Sequence, residues 1–451
     1  MKTLSKSSYC NGIQCPKILW MRTHLNDKVV ISPETQKVFD SGHVVGDYAK
    51  HYFDDFVEIP RDRENYQKSF DATKNLINQK TPTICEAGFK FENAICFADI
   101  VRVNADGSLE IIEVKQSSDL KKHYLDDMAF QYYVIRNCGY TISKISLMHV
   151  DTSYIRYGEI EPKKLFKIVD YTEKIIALQK DIPQKIETFL LYSEQKDEPE
   201  MPLGKHCESP YECIFLNYRS NGEGLPNTKT PEENFKKKEV QEFLSNVRYP
   251  LYFFDFETWF EEPIPPVDLT HPYQQMPYQY SLHIQKSKDD DIETLEHREF
   301  LANELSVENM RALAEQLCRD IPQDAQVMAY CASFEQGCIK ELARMFPDLK
   351  EQLMTIHGNF IDLAIPFRRK YLQTLEMEGR WSIKLVLPAL VPEFSYSDLE
   401  VRHGGMAIDV FKTLPNLSPE ENEKARQNLL AYCKMDTFAM VKILKKLQEM
   451  M

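Results

Sequence analysis

A chain of 451 residues, 43% hydrophobic, 11% aromatic and 27% charged, is too long for one ordinary core and too apolar to be disordered, so two folded domains of roughly 200 residues each are expected. Its net charge of -14 argues against a broadly basic surface of the kind that grips nucleic-acid backbones, but leaves room for a local basic patch and for carboxylates committed to metal ions. Met1-Lys2-Thr3 opens no apolar stretch of signal-peptide length, no run approaches the ~20 apolar residues of a membrane span, and the 11 cysteines are irregularly spaced, so a cytoplasmic protein with free or metal-bound thiols is expected.

Short β-branched or aromatic runs alternate with longer charged, helix-like ones, the pattern of an α/β protein. The first informative element is a hairpin. Apolar strands at 95–103 and 109–115 flank Asn104-Ala105-Asp106-Gly107-Ser108, and an Asp-Gly turn between such runs is a strong hairpin signal. Glu113 and Lys115 are two apart and share a face. A loop symmetric about Asp106 sets Asp99 opposite Glu113. Two carboxylates and an amine then converge among apolar neighbours, where a divalent cation is the simplest relief of like-charge repulsion. Oxygen ligands favour Mg²⁺ or Mn²⁺, which would polarise a phosphate while Lys115 positions water or offsets charge. The same pattern fits a solvent-facing strand with an ordinary ion pair, and the strand alone leaves both readings open.

From Arg219 to Gln241 the apolar periodicity lapses into Ser220-Asn221-Gly222-Glu223-Gly224 and Pro226-Asn227-Thr228-Lys229, the composition of a linker. Beyond it, the stretch 249–258 reads as a strand buried on both faces, yet it sets Asp255 and Glu257 on one face amid aromatic residues. Carboxylates are rarely left in such company without a partner. Glu335 follows a strand-like run at 327–330 and opens a helix running toward Leu342. Tyr432 and Asp436, four apart, share a face of a later helix. Acids so distributed can surround a pair of cations about 4 Å apart, the arrangement that clamps both oxygens in phosphoryl transfer. Tyr432 would orient the water. His403-Gly404-Gly405-Met406 reads as a flexible loop near this site.

In the first half, Asp99 followed by Glu113-Val114-Lys115 resembles the signature of PD-(D/E)XK nucleases. Gln131-Tyr132-Tyr133, after the helix-like stretch 126–130, resembles the glutamine motif of their RecB-like branch, which includes CRISPR-adaptation exonucleases. The resemblance implies catalytic roles for Asp99, Glu113, Lys115 and Gln131, one metal ion on Asp99 and Glu113, and an auxiliary acid at Glu86. It also implies a histidine ligand. The sequence departs from the pattern there, with Gly46 in the expected place and His43, directly after Gly42, as the candidate. A 4Fe-4S iron-sulfur cluster on one early and three late cysteines is implied too. Cys15, Cys207 and Cys213 fit, while Arg219 stands where the next thiol belongs, leaving Cys10 or His206 to complete the four.

In the second half, Asp255-Phe256-Glu257, Phe334-Glu335 and Tyr432-Cys433-Lys434-Met435-Asp436 resemble the three motifs of DEDD exonucleases of the ribonuclease H-like fold, in the subclass with a tyrosine four residues before the last acid. The second motif usually ends in aspartate, so Glu335 is a departure. This resemblance implies two divalent ions on Asp255, Glu257, Glu335 and Asp436, an auxiliary Asp362, a supporting or substrate-side Lys384, and 3′-to-5′ action on single-stranded DNA or RNA ends. The whole chain resembles an uncharacterised bacterial family that joins the two designs. The expectation is therefore an α/β protein with a restriction-endonuclease-like, RecB-type domain at 1–220, a linker at 221–241 and a ribonuclease H-like mixed-sheet domain at 242–451, acting as a metal-dependent nuclease with two sites. The competing expectation is a nucleic-acid-binding or interaction protein on degenerate nuclease folds, motivated by Glu335, the missing cysteine and the acidic balance.

Overall fold

The computed structural model describes residues 3–62, 64–226, 232–260, 262–394 and 399–451. The chain is a mixed α/β protein of two compact units, Met1–Tyr154 with Gly158–Pro226, and Ile155–Tyr157 with Asn227–Met451. Among the described residues no helix is long and apolar enough to cross a membrane.

In unit 1, β1 (Leu4–Ser5), β2 (Val57–Glu58), β3 (Thr83–Phe91), β4 (Ala94–Val103), β5 (Leu109–Lys115), β6 (Ile142–Val150) and β7 (Phe166–Asp170) form one sheet in the order β2-β3-β4-β5-β6-β7, with β1 beside β4. Its helices include α1 (Lys6–Gln14), α2 (Lys17–His24), α3 (Pro33–Lys50), α4 (Tyr66–Asn78) and α5 (Lys122–Asn137). β3, β4 and β5 are antiparallel, and β6 lies parallel to β5. A parallel neighbour requires a crossover, which α5 supplies. The β4–β5 turn is closed by Asp106, whose Oδ1 accepts from Ser108 N and Oγ at 2.9 and 2.7 Å, and by Gly107 at φ 85°, where a side chain would be strained. The pairs Ile100↔Ile112 and Val103↔Leu109 centre the register on Asp106, so its next step sets Asp99 beside Glu113. In the core, Tyr9 of α1 stacks on Phe130 of α5 at 4.7 Å. Gly12 leaves room for Phe189, whose ring lies 2.7 Å from where a Cβ would stand.

In unit 2, β8 (Asn234–Phe235) pairs with β14 (Leu372–Gln373), while β9 (Leu251–Trp259), β10 (Met276–Gln285), β11 (Glu296–Leu301), β12 (Gln326–Ala329) and β13 (Phe360–Asp362) form a sheet in the order β11-β10-β9-β12-β13. The central strand β9 is antiparallel to β10 and parallel to β12. Its Tyr252, Phe254 and Phe256 enter one core with Leu313, Leu317, Ile339 and Leu342, from the helices Val307–Asp320 and Ser333–Met345. Leu251 and Phe253 enter the other, with Val441 and Leu444 of the C-terminal helix Pro419–Glu449. Strand alternation carries Asp255 and Glu257 onto this second side. The C-terminal helix starts from a reciprocal cap, Ser418 accepting from Glu421 N while the Glu421 side chain accepts from Ser418 N, with Pro419 in the first turn.

Two expectations need correction. The linker expected at 221–241 overlaps β8 and the helix Lys237–Ser245, whose Val240 and Phe243 are buried in the second core. Their spacing of three makes an apolar stripe within a charged stretch. The linker residues Asn227, Thr228 and Lys229 lie outside the described residues. His403-Gly404-Gly405-Met406 is not a loop but a helix start: His403 Nδ1 accepts from Met406 N at 3.2 Å and caps Gly404–Thr413, so a polar side chain offsets the glycines' poor helix propensity.

Phe254 is fully buried at the sheet centre. Phe254→Ala should cost unit 2 about 3–5 kcal/mol, seen as a lower denaturant midpoint for its unfolding, with unit 1 unchanged.

Candidate functional site

The carboxyl half of β9, the first turn of Ser333–Met345 and the middle of the C-terminal helix converge on one cavity of about 340 Å³ lined by Asp255, Glu257, Glu335, Tyr432, Asp436 and Lys384. Asp255 keeps a partial opening, whereas Glu257, Glu335 and Asp436 are buried. Burial first, then Asp436, pushes Asp255 well above the ordinary carboxylate range. Burial and then Asp255 do the same to Glu257 and Glu335. The Oε2 of Glu335, a side chain 2% exposed, has no hydrogen-bond partner among the described residues. The acids crowd one another, and Lys384 offsets only part of the resulting cost at Asp255 and Glu257.

The sequence reading missed Cys433. Its ligand atom and those of Asp255 and Glu257 lie within 4.8 Å of one another, and its Sγ is 3.8 Å from Asp255 Oδ2. Burial and then Asp255 raise this thiol strongly, so it is a weak donor rather than a thiolate. The oxygen set, with one buried oxygen unmatched, fits a hard divalent cation such as Mg²⁺ or Mn²⁺. Tyr432 is buried, and burial followed by Asp436 and Glu257 raises it, so it stays a phenol. Asp362 is held by backbone and side-chain donors: its Oδ1 accepts from Cys331 N and Ala364 N, each at 2.9 Å, and Oδ2 from the Arg368 side chain at 3.0 Å. A Cβ built on Gly404 would lie 3.7 Å from Glu257 Oε2, so the capped helix starts next to the acids.

Unit 1 brings Asp99, Glu113, Lys115 and Gln131 together and adds two residues that the sequence reading did not find. Lys6 Nζ lies 2.9 and 3.0 Å from the two oxygens of Glu113 and 3.9 Å from Asp99. Lys115 Nζ lies 2.5 Å from Glu113 Oε1 and 2.7 Å from Asp127 Oδ2. Gln131 Nε2 donates to Glu113 Oε2 at 2.6 Å and to Asp127 Oδ1 at 3.0 Å. Asp127 was legible, being one helical turn before Gln131; Lys6 gave no local signal. Burial and Asp99 push Glu113 up, but Lys115 and Lys6 outweigh them and hold it below the ordinary range. Lys6 and Lys115 engage Glu113 Oε1, and Lys6 and Gln131 engage Oε2, so the set as arranged does not fit a metal ion at Glu113. Asp99 Oδ2 accepts from Val114 N at 2.8 Å.

Glu86 falls opposite Asp99 in the β3–β4 register, between Cys85↔Ile100 and Ala87↔Ala98, and takes a left-handed φ of 57°, a conformation that costs a non-glycine residue of order 1–3 kcal/mol. Burial raises its carboxyl. His43 is exposed on α3. Cys15, Cys207 and Cys213 are buried together, and Arg219 reaches among them, 3.2 Å from Cys207 Sγ and 4.0 Å from Cys15 Sγ, with Nη2 on Met201 O at 2.8 Å. Cys10 packs against the sheet core. A guanidinium in place of the fourth thiolate does not fit a four-cysteine cluster.

Residues 252–382 match the family model of a domain of unknown function, DUF2779. That region holds Asp255, Glu257, Glu335 and Asp362; Tyr432 and Asp436 lie beyond it. No curated protein matches the chain.

The raised carboxyls of the DUF2779 region set a pH dependence. The folded state keeps protons that the unfolded chain releases above about pH 4. Unit 2 should therefore lose stability in chelator as pH rises from there through the raised values. Asp255→Asn should flatten that slope and raise the neutral-pH denaturation midpoint; a slope unchanged by the substitution would contradict the charge accounting.

Proposed function

We propose that this chain is a metal-dependent nuclease that hydrolyses phosphodiester bonds at the carboxylate centre of unit 2. The observation that carries the reading is the convergence of Asp255, Glu257, Glu335, Asp436 and Tyr432 in one cavity. Support comes from the sheet order β11-β10-β9-β12-β13, in which the first three strands in sequence meander and the next two join in parallel beside β9, as the ribonuclease H-like resemblance implies. Asp255, Glu257, Glu335 and Asp436 would hold the ions. Bound Mg²⁺ or Mn²⁺ supplies Lewis acidity at the phosphate and lowers the pKa of water it holds. Tyr432, kept a phenol by burial and then by its acidic neighbours, offers an O–H donor to the reacting water or a phosphate oxygen. The DEDD resemblance implies 3′-to-5′ action on single-stranded ends.

For unit 1 we propose a RecB-like PD-(D/E)XK domain, supported by the β3–β4–β5 meander, the α5 crossover and the parallel β6. The ammonium contacts on Glu113 favour a unit that binds or threads nucleic acid while unit 2 cuts.

The test is degradation of end-labelled single-stranded DNA and RNA with Mn²⁺, Mg²⁺ or chelator. Metal-dependent shortening should disappear in Asp255→Ala and persist in Glu113→Gln. Loss in Glu113→Gln alone would move the chemistry to unit 1, and no cleavage of either substrate would leave a binding protein on nuclease folds.

A further inference from the structure

Lys6 stands where its own helix does not favour it. It is the first residue of α1, whose opening turn carries no acid, and a cation at a helix N-terminus opposes the helix dipole. The acids of unit 1 supply the compensation. Lys6 Nζ lies 2.9 and 3.0 Å from the two oxygens of Glu113, 3.6 Å from Asp127 Oδ1 and 3.9 Å from Asp99 Oδ1. One ammonium is therefore within 4 Å of carboxylates from β4, β5 and α5.

The chain on both sides of Lys6 is fixed. Leu4 is fully buried and donates its N–H to Asn93 O at 2.7 Å, and Leu4 and Ser5 pair with Ala94 and Ile95 of β4. Ser5 Oγ accepts from Ser8 N at 3.2 Å and caps α1. The ammonium is thus delivered to the acids by the sheet and the helix together.

An ammonium brings one charge and three donors, whereas a hard divalent ion brings two charges and takes about six oxygens. Without Lys6, the carboxylates of Asp99, Glu113 and Asp127 would face the single ammonium of Lys115. That excess of two negative charges is what one divalent ion cancels. Gln131 belongs to the same set through Nε2, which donates to Glu113 and Asp127. Its Oε1, on a fully buried side chain, has no hydrogen-bond partner among the described residues, so the ammonium leaves unmatched an oxygen that a metal ion can use. The side chains of Lys6 and Asp99 are 21% and 29% exposed, which gives an ion a path from solvent.

We propose that Lys6 is a tethered cation that closes a latent divalent-metal site in unit 1: its ammonium fills the place among Asp99, Glu113 and Asp127, and the set takes Mg²⁺ or Mn²⁺ only once that ammonium is gone. The inference rests on the side chains of unit 1 and is independent of cleavage by unit 2. It makes unit 1 indifferent to metal and leaves unit 2 as the part of the chain that responds to it.

The experiment measures Mn²⁺ binding by calorimetry, and unfolding of unit 1 in Mn²⁺ or chelator, on the full chain carrying Asp255→Asn/Glu335→Gln, so that the acids of unit 2 do not contribute. Into this background go Lys6→Met, which keeps the side chain's length and removes its charge, Glu113→Gln, and both together. Lys6→Met is expected to gain one saturable Mn²⁺ ion, with an affinity about 100-fold or more above the background, and to lose it when Glu113→Gln is added. Lys6→Met should also lower the denaturation midpoint of unit 1 in chelator, with Mn²⁺ restoring it, while unit 1 with Lys6 in place ignores Mn²⁺. Saturable binding that needs Glu113 while Lys6 is present, or no gain in Lys6→Met, overturns the inference. A Lys6→Met chain whose unit 1 is unfolded in chelator and in Mn²⁺ alike overturns it as well, because the acids then cannot use a divalent ion in place of the ammonium. None of these outcomes depends on whether unit 2 binds metal or cuts nucleic acid.

Discussion

A carboxylate buried beside another carboxylate needs a positive partner or a proton, and this chain meets that constraint in two different ways. In unit 1 the partners are built in: Lys6 and Lys115 both reach Glu113, and the acid is held ionised below its ordinary range. In unit 2 the acids have one another. Asp255, Glu257 and Glu335 are all pushed up, and Lys384 opposes part of that at Asp255 and Glu257. Removing water from such a cluster costs several kcal/mol per unpaired ion. A hard divalent cation reverses the sign of that cost, which is why the functional reading rests on unit 2.

The fold prepares this centre by making β9 interior. With β10 on one side and β12 on the other, both edges of the strand are paired, and its two faces are committed to separate cores. Asp255 and Glu257 continue the face that Leu251 and Phe253 begin, so their direction is set by packing several residues away. The C-terminal helix crosses the same face, with Tyr432, Cys433 and Asp436 buried against it. Behind it, Thr437 Oγ1 contacts Ser281 Oγ and His283 Nδ1, each at 2.8 Å, anchoring the residue next to Asp436 to β10. Preorganisation of this kind is what an electrostatic site requires.

Much of this was legible in the sequence where the periodicity is strict. The alternation of β9, the Asp-Gly hairpin with its register about Asp106, and the four-residue spacing of Tyr432 and Asp436 each follow from local geometry. The residues that escaped are those whose roles come from distance. Lys6 reaches Glu113 across 107 residues of sequence, and Cys433 meets Asp255 across 178. Val240 fell inside the expected 221–241 linker because its partners in the second core are far away in the chain. The glycine pair after His403 read as a loop because propensity was weighed without the cap.

The central claim, that the acids of unit 2 are built to hold divalent cations, is tested most directly by Mn²⁺ binding to the full chain, measured by calorimetry and by the loss of the free-ion resonance signal. The account requires saturable binding that raises the stability of unit 2, falls sharply in Asp255→Asn and Glu335→Gln, and survives in Glu113→Gln. Binding that ignores Asp255 and Glu335, or none at all, would contradict it and leave the buried carboxyls as protonated structural groups.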